Sequence, residues 1–152
     1  MNKGDKLKSV SFKIDETKTI KSSDLKGNFS IIYFYPKDDT PGCTKEAIEF
    51  SEYYNDFKKI GVTVLGISKD SLEKHSKFKN KYDIKFDLVC DDGTLCELFN
   101  VWVEKSMYGK KYMGIQRSTF LVDKNLNIIN IWRNVKVKGH AEEVFNTIQD
   151  LL

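Results

Sequence analysis

Residues 30–61 read SIIYFYPKDDTPGCTKEAIEFSEYYNDFKKIG, and the fold class follows from this stretch. It opens with an apolar, aromatic-rich run over Ser30–Tyr35, which is typical of a strand buried on both faces. From residue 41 to residue 60 apolar side chains recur at three- and four-residue intervals, which predicts one amphipathic helix with Gly61 as its C-terminal stop. A buried strand that leads directly into such a helix indicates an α/β protein.

The rest of the chain extends this pattern on both sides. Upstream, residues 9–21 alternate apolar and polar side chains around Asp15-Glu16, which predicts a short N-terminal hairpin. Downstream, strands and helices alternate, and that order indicates parallel pairing through right-handed crossovers. We predict strands over Val62–Ile67 and Phe86–Val89, helices over Ser71–Tyr82, Asp91–Val101 and His140–Leu152, and a final hairpin of Ile115–Val122 and Asn127–Trp132.

These elements predict a three-layer α/β fold with a central mixed sheet. Two crossovers, an antiparallel hairpin and a closing helix are the order of a thioredoxin-like sheet, here with an N-terminal hairpin extension. No repeat, low-complexity tract or linker interrupts the 152 residues, so residues 1–152 are expected to form a single domain.

Composition excludes several classes of protein. The 25 basic and 22 acidic residues are mixed along the chain, which argues against a nucleic-acid binder. The longest apolar run, Ile31–Tyr35, is far below the roughly 20 residues that a membrane helix requires. Three cysteines cannot all pair, and no apolar leader opens the chain, so we expect a cytoplasmic protein with reduced thiols.

Cys43 occupies the most reactive position that the pattern offers. Thr40 fits the N-cap of the predicted helix and Pro41 its first position, so Cys43 falls in the first turn. Unpaired amides and the helix dipole stabilise a thiolate there, against an ordinary cysteine pKa of about 8.5. The alternative is a small buried apolar residue without chemistry, and the position at the helix start argues against it.

The residues that follow Cys43 argue against a thioredoxin-type reductase. A thioredoxin-type reductase requires Cys-x-x-Cys, whereas residues 43–46 read CTKE. A solitary thiolate fits peroxide reduction or acyl transfer better.

At Pro36, Thr40 and Cys43 the chain carries the Pro-x-x-x-Thr-x-x-Cys signature of peroxiredoxins. The stretch around it, YFYPKDDTPGCTKEA over residues 33–47, resembles the bacterioferritin comigratory protein (PrxQ) subfamily. Further segments resemble that subfamily in the same order: Val64–Ser68, Phe99–Trp102, Glu104–Ser106, Gly109–Lys110 and Gly114–Asp123.

The resemblance implies a thiol-dependent peroxidase of hydrogen peroxide and organic hydroperoxides, with three principal residues. Cys43 would be the peroxidatic nucleophile, which attacks a hydroperoxide and becomes a sulfenic acid. Thr40 would hydrogen-bond the peroxide in addition to any role as a helix cap. Arg117, one of only two arginines, would stabilise the thiolate and the charge on the breaking O–O bond.

Five further residues have supporting roles or none. Pro36 and Pro41 would shape the loop and shield the thiolate, and amides near Gly42 would bind the attacked peroxide. Glu46 either orients Arg117 or a loop amide or is an ordinary solvated helix residue. Trp102 is interpreted as packing near the site rather than as part of the chemistry.

The route by which the enzyme is recycled departs from the subfamily pattern. Many members carry a resolving cysteine five residues after the peroxidatic one, where this chain has Ile48, and the helix over residues 71–82 has none either. Cys90 and Cys96 remain, and both are interpreted as structural. We therefore expect an external thiol from thioredoxin, glutaredoxin or a small molecule, with a Cys43–Cys90 or Cys43–Cys96 disulfide as the alternative.

Neither a cofactor nor a metal is expected. A zinc site built from Cys43, Cys90, Cys96 and a histidine is disfavoured, because no spacing resembles Cys-x-x-Cys or His-x-x-x-His. His75 and His140 are interpreted as surface or capping residues.

Two expectations concern partners. The resemblance implies a monomer that meets only a hydroperoxide and a thiol reductant. A non-enzymatic binding or holdase module on a thioredoxin-like fold is the alternative function. The joint presence of Pro36, Thr40, Cys43 and Arg117 argues against that alternative, because binding alone requires none of them.

Overall fold

The computed structural model describes all residues 1–152 as nine strands and five α-helices. The strands are β1 (Ser11–Lys13), β2 (Thr19–Lys21), β3 (Ser30–Phe34), β4 (Thr63–Ser68), β5 (Asp87–Cys90), β6 (Trp102–Met107), β7 (Lys110–Ile115), β8 (Ser118–Val122) and β9 (Ile128–Arg133). The helices are α1 (Pro41–Glu52), α2 (Tyr54–Lys59), α3 (Leu72–Tyr82), α4 (Thr94–Leu98) and α5 (His140–Gln149). One 3₁₀ turn over Ser22–Leu25 follows β2.

The central sheet has five strands in the order β5-β4-β3-β8-β9. Strands β3, β4 and β5 are parallel to one another, whereas β8 is antiparallel to both of its neighbours, β3 and β9. Strands β1 and β2 form a separate antiparallel hairpin near the N-terminus. The predicted mixed sheet, thioredoxin-like order and N-terminal hairpin are all confirmed.

Apolar side chains fill two layers, one on each face of the central sheet. Successive residues of β3 point to opposite faces, so Ile31 and Tyr33 join one layer and Ile32 and Phe34 the other. The first, here called the α1-side layer, is covered by α1, α2, α3 and α5. The second, the α4-side layer, is covered by α4 and the N-terminal segment that includes Phe12. Burial on both faces explains the unbroken apolar run of β3.

The helix predicted over residues 41–60 is two helices, so that prediction is wrong. At Tyr53 the backbone stays in the right-handed region, with φ −89° and ψ −3°, but its amide bonds the Ser51 carbonyl instead of continuing the helical ladder. Its ring packs against Phe145 of α5 at a centroid distance of 5.3 Å. No helix of the protein is long and apolar enough to cross a membrane.

The strand predicted over Ile115–Val122 is also wrong. Strand pairing is interrupted at Gln116 and Arg117, which lie between β7 and β8. Strand β7 pairs with β6 as a hairpin outside the central sheet, in a segment for which no strands were predicted. Its turn is Tyr108-Gly109, both with positive φ, as a two-residue hairpin loop requires. That hairpin is mostly exposed, so it shows no apolar alternation.

Gly66 of β4 lies against the ring of Tyr33 on the neighbouring strand. A Cβ at residue 66 would sit 2.9 Å from the Tyr33 Cζ and Oη atoms. Real Cβ atoms do not come this close to other atoms, so the absence of a side chain lets Tyr33 lie flat across the sheet. The ring of Tyr33 then stacks on Phe50 of α1 at 4.7 Å.

Truncation of Phe99 tests the α4-side layer. Phe99 is fully buried, with its ring 4.8 Å from that of Phe120 and 5.1 Å from that of Phe34. Phe99→Ala is expected to lower the free energy of unfolding by about 3–5 kcal/mol, because it removes buried surface and leaves a cavity. Urea unfolding measures the loss. Tyr108→Ala, at a side chain 99% exposed, is the control and should change stability by less than about 0.5 kcal/mol.

Candidate active site

Cys43 lies in the first turn of α1, at the carboxyl edge of the central sheet. Its side chain is 2% exposed. The first backbone bond of the helix runs from the Thr44 amide to the Thr40 carbonyl at 2.8 Å. The amides of Gly42 and Cys43 precede that bond and have no partner within the helix. Together with the helix dipole, they favour a thiolate at Cys43.

Thr40 holds the N-cap position, but its side chain does not cap the helix. The hydroxyl instead donates a hydrogen bond to the Lys37 carbonyl at 2.8 Å. That bond uses the hydroxyl proton and leaves the oxygen lone pairs available to accept one. The predicted N-cap position of Thr40 is therefore confirmed, and its hydroxyl oxygen is free to accept a hydrogen bond from a ligand.

Arg117 binds two side chains of α1 at once. Its Nη2 donates to the Cys43 Sγ at 3.3 Å, and its Nη1 donates to the Glu46 Oε1 at 2.7 Å. Cys43 and Glu46 are three residues apart and so lie on one face of α1. Gly42 leaves room for the guanidinium, since a Cβ there would lie 3.2 Å from Nη2. The Arg117 side chain is 17% exposed, so both contacts are partly shielded from water.

The register of the sheet brings Arg117 to this position. Strand β8 lies next to β3, and its first residue, Ser118, pairs with Phe34 at the end of β3. Arg117 directly precedes β8, so it stands beside the loop that leads from β3 to α1. Its carbonyl accepts a bond from the Val135 amide at 2.9 Å, which fixes the backbone there.

Glu46 is almost fully buried, at 1% exposure, and so is not a solvated helix residue. Burial raises the pKa of Glu46 to about 7, against the opposing charge and hydrogen bond of Arg117. Its Oε2 atom has no hydrogen-bond partner, and neither does the buried Tyr33 hydroxyl. Burial and then the nearby charges of Glu46 and Cys43 raise the pKa of Tyr33 well above its usual value. The thiol thus shares a poorly solvated space with a carboxyl group and a phenol.

A model of the AhpC/TSA family matches residues 3–131, which is most of the chain. The chain belongs to the AhpC/TSA family. It is 47% identical to Peroxiredoxin Bcp of Bacillus subtilis over 149 residues, a match that covers 97% of the chain and 95% of that relative. The implied membership of the peroxiredoxins is confirmed.

Solved structures place this peroxiredoxin in the same subfamily. A PrxQ mutant from Xylella fastidiosa matches with a TM-score of 0.94 and 41% identity, over 99% of this chain and 96% of that one. The bacterioferritin comigratory protein of Xanthomonas campestris, described for its alkyl peroxide reduction activity, matches with a TM-score of 0.90 and 39% identity. That match covers 93% of this chain and 90% of that one.

The other residues singled out from the peroxiredoxin sequence divide between site and periphery. Pro36 and Pro41 flank the loop between β3 and α1; Pro36 is half-buried and Pro41 exposed. Trp102 instead packs against the α4-side layer, with the Lys69 Nζ 4.1 Å from its ring centroid. Since Cys43 belongs to the α1-side layer, the structure does not join Trp102 to the thiol's packing cluster.

Cys90 and Cys96 differ from Cys43 and from each other. Cys90 ends β5 and is half-buried, whereas Cys96 in α4 is fully buried in the α4-side layer. Burial raises the pKa of both thiols, and a hydrogen bond with Asp91 raises that of Cys96 further. Both are therefore poor sources of thiolate.

The sequence missed Lys105 in β6. Its side chain lies along Gly114, where a Cβ would come 3.2 Å from the Lys105 Cδ. Burial and the charge of Arg117 lower the pKa of Lys105, while the charge of Cys43 opposes that shift. Lys105 is thus a second cation within electrostatic reach of the thiol. The turn at Tyr108-Gly109 was the available signal for the hairpin that presents it.

The two histidines are not surface residues, so that interpretation is wrong. His75 is 3% exposed and His140 4% exposed. His140 begins α5, and its Nε2 lies 2.7 Å from the Thr119 hydroxyl. Burial and the charge of Arg117 lower the pKa of His140 to about 4.

The buried carboxyl of Glu46 predicts a pH-dependent stability. Its pKa is about 7 in the folded protein and 4.5 as the ordinary value, so folding favours the protonated form. The stabilisation is complete below the ordinary pKa and is lost as the pH rises through about 7. Relative to Glu46→Gln, the native protein should lose stability over this range, on the order of 3 kcal/mol at most. Urea unfolding of both proteins against pH measures the difference, and a difference that does not vary with pH contradicts the assignment.

Proposed function

We propose that this peroxiredoxin reduces hydrogen peroxide and organic hydroperoxides through a Cys43 sulfenic acid, and that residues 1–152 act as one domain. The 3.3 Å contact between the Arg117 guanidinium and the Cys43 Sγ carries the proposal. It joins a permanent cation to a thiol that already lies at a helix N-terminus, and both favour the thiolate.

The reaction consists of one nucleophilic displacement. The Cys43 thiolate attacks the terminal oxygen of the hydroperoxide, an S–O bond forms and the O–O bond breaks. Sulfur is oxidised by two electrons to the sulfenic acid, and the leaving oxygen takes up a proton as water or alcohol. Since sulfur supplies both electrons, no cofactor or metal is required.

Each neighbour of the thiolate has a role in that displacement. The Thr40 oxygen accepts a hydrogen bond from the O–H group of the bound hydroperoxide, and the amides near Gly42 donate hydrogen bonds to the hydroperoxide oxygens. Arg117 stabilises the negative charge that moves from sulfur to the leaving oxygen. Pro36 and Pro41 restrict the loop backbone and limit access of water. A binding module requires no such arrangement around a buried thiol.

An external thiol from thioredoxin, glutaredoxin or a small molecule is the proposed reductant. It attacks the sulfenic sulfur, releases water and leaves a mixed disulfide that a second thiol reduces. Cys43 and Cys96 lie on opposite faces of the central sheet, which disfavours a disulfide between them. A disulfide with Cys90 is the remaining alternative. The odd number of cysteines fits a reducing compartment, so we propose a cytoplasmic protein. The resemblance to the subfamily supports a monomer.

Replacement of the nucleophile tests the peroxidase activity. Cys43→Ser is expected to abolish consumption of hydrogen peroxide and of an alkyl hydroperoxide with dithiothreitol as reductant, because serine is not oxidised by peroxide. Cys90→Ser is the matched control, since it removes a thiol outside the proposed reaction and should retain the activity. Peroxide loss followed by a ferrous-dye assay gives both rates, and undiminished activity in Cys43→Ser would refute the proposal.

The oxidised product tests the mode of recycling. One equivalent of hydrogen peroxide without reductant should add a single oxygen to the protein, and dimedone should label Cys43. Intact-mass and peptide mapping identify the product. A stoichiometric loss of two hydrogens, absent in Cys90→Ser, would instead establish the Cys43–Cys90 disulfide.

A further inference from the structure

The loop between β3 and α1, which leads to Cys43, contains a buried carboxylate, Asp38. The reaction described above does not use this group. Asp38 lies five residues before Cys43 and two before Thr40, and it is 8% exposed. Its Oδ1 accepts a hydrogen bond from the Tyr35 hydroxyl at 2.5 Å, and its Oδ2 lies 2.6 Å from the Nδ1 of His75. His75 belongs to α3, so this contact ties the loop to another helix.

The geometry fixes the net charge of the His75–Asp38 pair. The second ring nitrogen of His75, Nε2, lies 2.9 Å from the Val89 carbonyl, which can only accept, so Nε2 carries a proton. Its Nδ1 faces the carboxylate of Asp38, which also accepts when ionised. The 2.6 Å contact therefore holds one shared proton between Nδ1 and Oδ2, and the His75–Asp38 pair carries no net charge. Each side chain of the pair is 4% exposed.

Asp38, Asp70 and His75 bring their ligand atoms within 4.8 Å of one another, as a metal site would. Their hydrogen bonds account for this arrangement without an ion. The Asp70 Oδ2 accepts from the Asp38 amide at 2.8 Å and from the Ser68 hydroxyl at 2.7 Å. Both Asp38 oxygens and both His75 nitrogens are also occupied. We interpret the cluster as a hydrogen-bond network that fixes the loop between β3 and α1.

Asp38 is bound to the packing cluster of the thiol, because it accepts from the Tyr35 hydroxyl and Tyr35 belongs with Tyr33 and Cys43 to the α1-side layer. Burial first, and then the charges of Glu46, Cys43 and Asp38, raise the pKa of the Tyr33 phenol that lies among them. An Asp38 carboxylate without the shared proton would add a negative charge to a poorly solvated site that must hold a thiolate. Such a charge disfavours the ionised thiol.

We propose that His75 is a positioning residue of the peroxidatic site: its ring shares a proton with Asp38, which neutralises the carboxylate and so holds the loop between β3 and α1 in the form that stabilises the thiolate. The inference rests on the proposed function of Cys43. It assigns to α3 an electrostatic role in a reaction that takes place at the start of α1.

A charge-balance experiment tests this role. His75→Gln keeps a hydrogen-bond donor but leaves the Asp38 charge unneutralised. It should lower the rate constant for hydrogen peroxide by about tenfold, because the added negative charge disfavours the thiolate. Asp38→Asn in the same chain removes the unpaired charge, so the double variant should recover most of the rate. Asp38→Asn alone should stay within about threefold of the native rate, because a neutral His75 can accept from the new amide.

Two readouts separate positioning from simple loss of stability. Ultraviolet absorbance of the thiolate, referenced to Cys43→Ser, and the rate of alkylation by iodoacetamide both follow the thiolate at neutral pH. Ser71→Ala is the matched control, because it removes the cap bond to the Lys74 amide and so weakens α3 without touching His75 or Asp38. It should leave the thiolate fraction unchanged.

The outcomes decide the proposal in each case. It is overturned if His75→Gln keeps the native thiolate fraction, or if the double variant reacts no faster than His75→Gln. Should His75→Gln fail to fold, His75→Asn replaces it, since it also keeps an amide donor and removes the ring that shares a proton with Asp38. An unchanged fraction there also overturns it. The alkylation rate is measured without peroxide, so it tests the role of His75 independently of turnover. If the native protein had no peroxidase activity, that result would refute the proposed function and not the role of His75.

Discussion

The guanidinium of Arg117 reaches two side chains of α1, Cys43 and Glu46, and most of the architecture serves that contact. The antiparallel register of β8 against β3 sets the position of Arg117 along the sheet edge. The interruption between β7 and β8 frees its backbone from strand pairing. The three-residue spacing on α1 places the thiol and the carboxyl on one face. A shift of one residue in any of these elements would separate the cation from the sulfur.

The contact requires charges in a poorly solvated place, where unpaired charges are costly. Arg117 is compensated by Glu46, and Glu46 only in part, because one of its oxygens has no partner. The surrounding aromatic rings, such as Tyr33 and Phe50, hold this group of charges in position through close packing. The helix packing that excludes water from the thiol therefore also maintains its electrostatics, and the two cannot be altered independently.

Local patterns in the sequence predicted what local physics determines. The buried strand β3, the helix start and the reactive position of Cys43 all follow from residues that are neighbours in the chain. The resemblance to peroxiredoxins added Thr40 and Arg117. Errors arose where tertiary contacts decide, as with His75, which meets a carboxylate 37 residues away. The exposed β6–β7 hairpin was missed because neither of its faces shows the apolar alternation of a half-buried strand.

Gly66 limits which sequences can form this site. It touches no catalytic residue, yet any side chain there would displace the ring of Tyr33 from the sheet. That ring packs between the neighbouring strand and Phe50 of α1, so a shift of the ring would also shift the helix that carries the thiol. In a saturation mutagenesis library, position 66 should be as intolerant as position 43, for steric reasons alone. The active site therefore constrains more positions of the sequence than those whose side chains take part in the reaction.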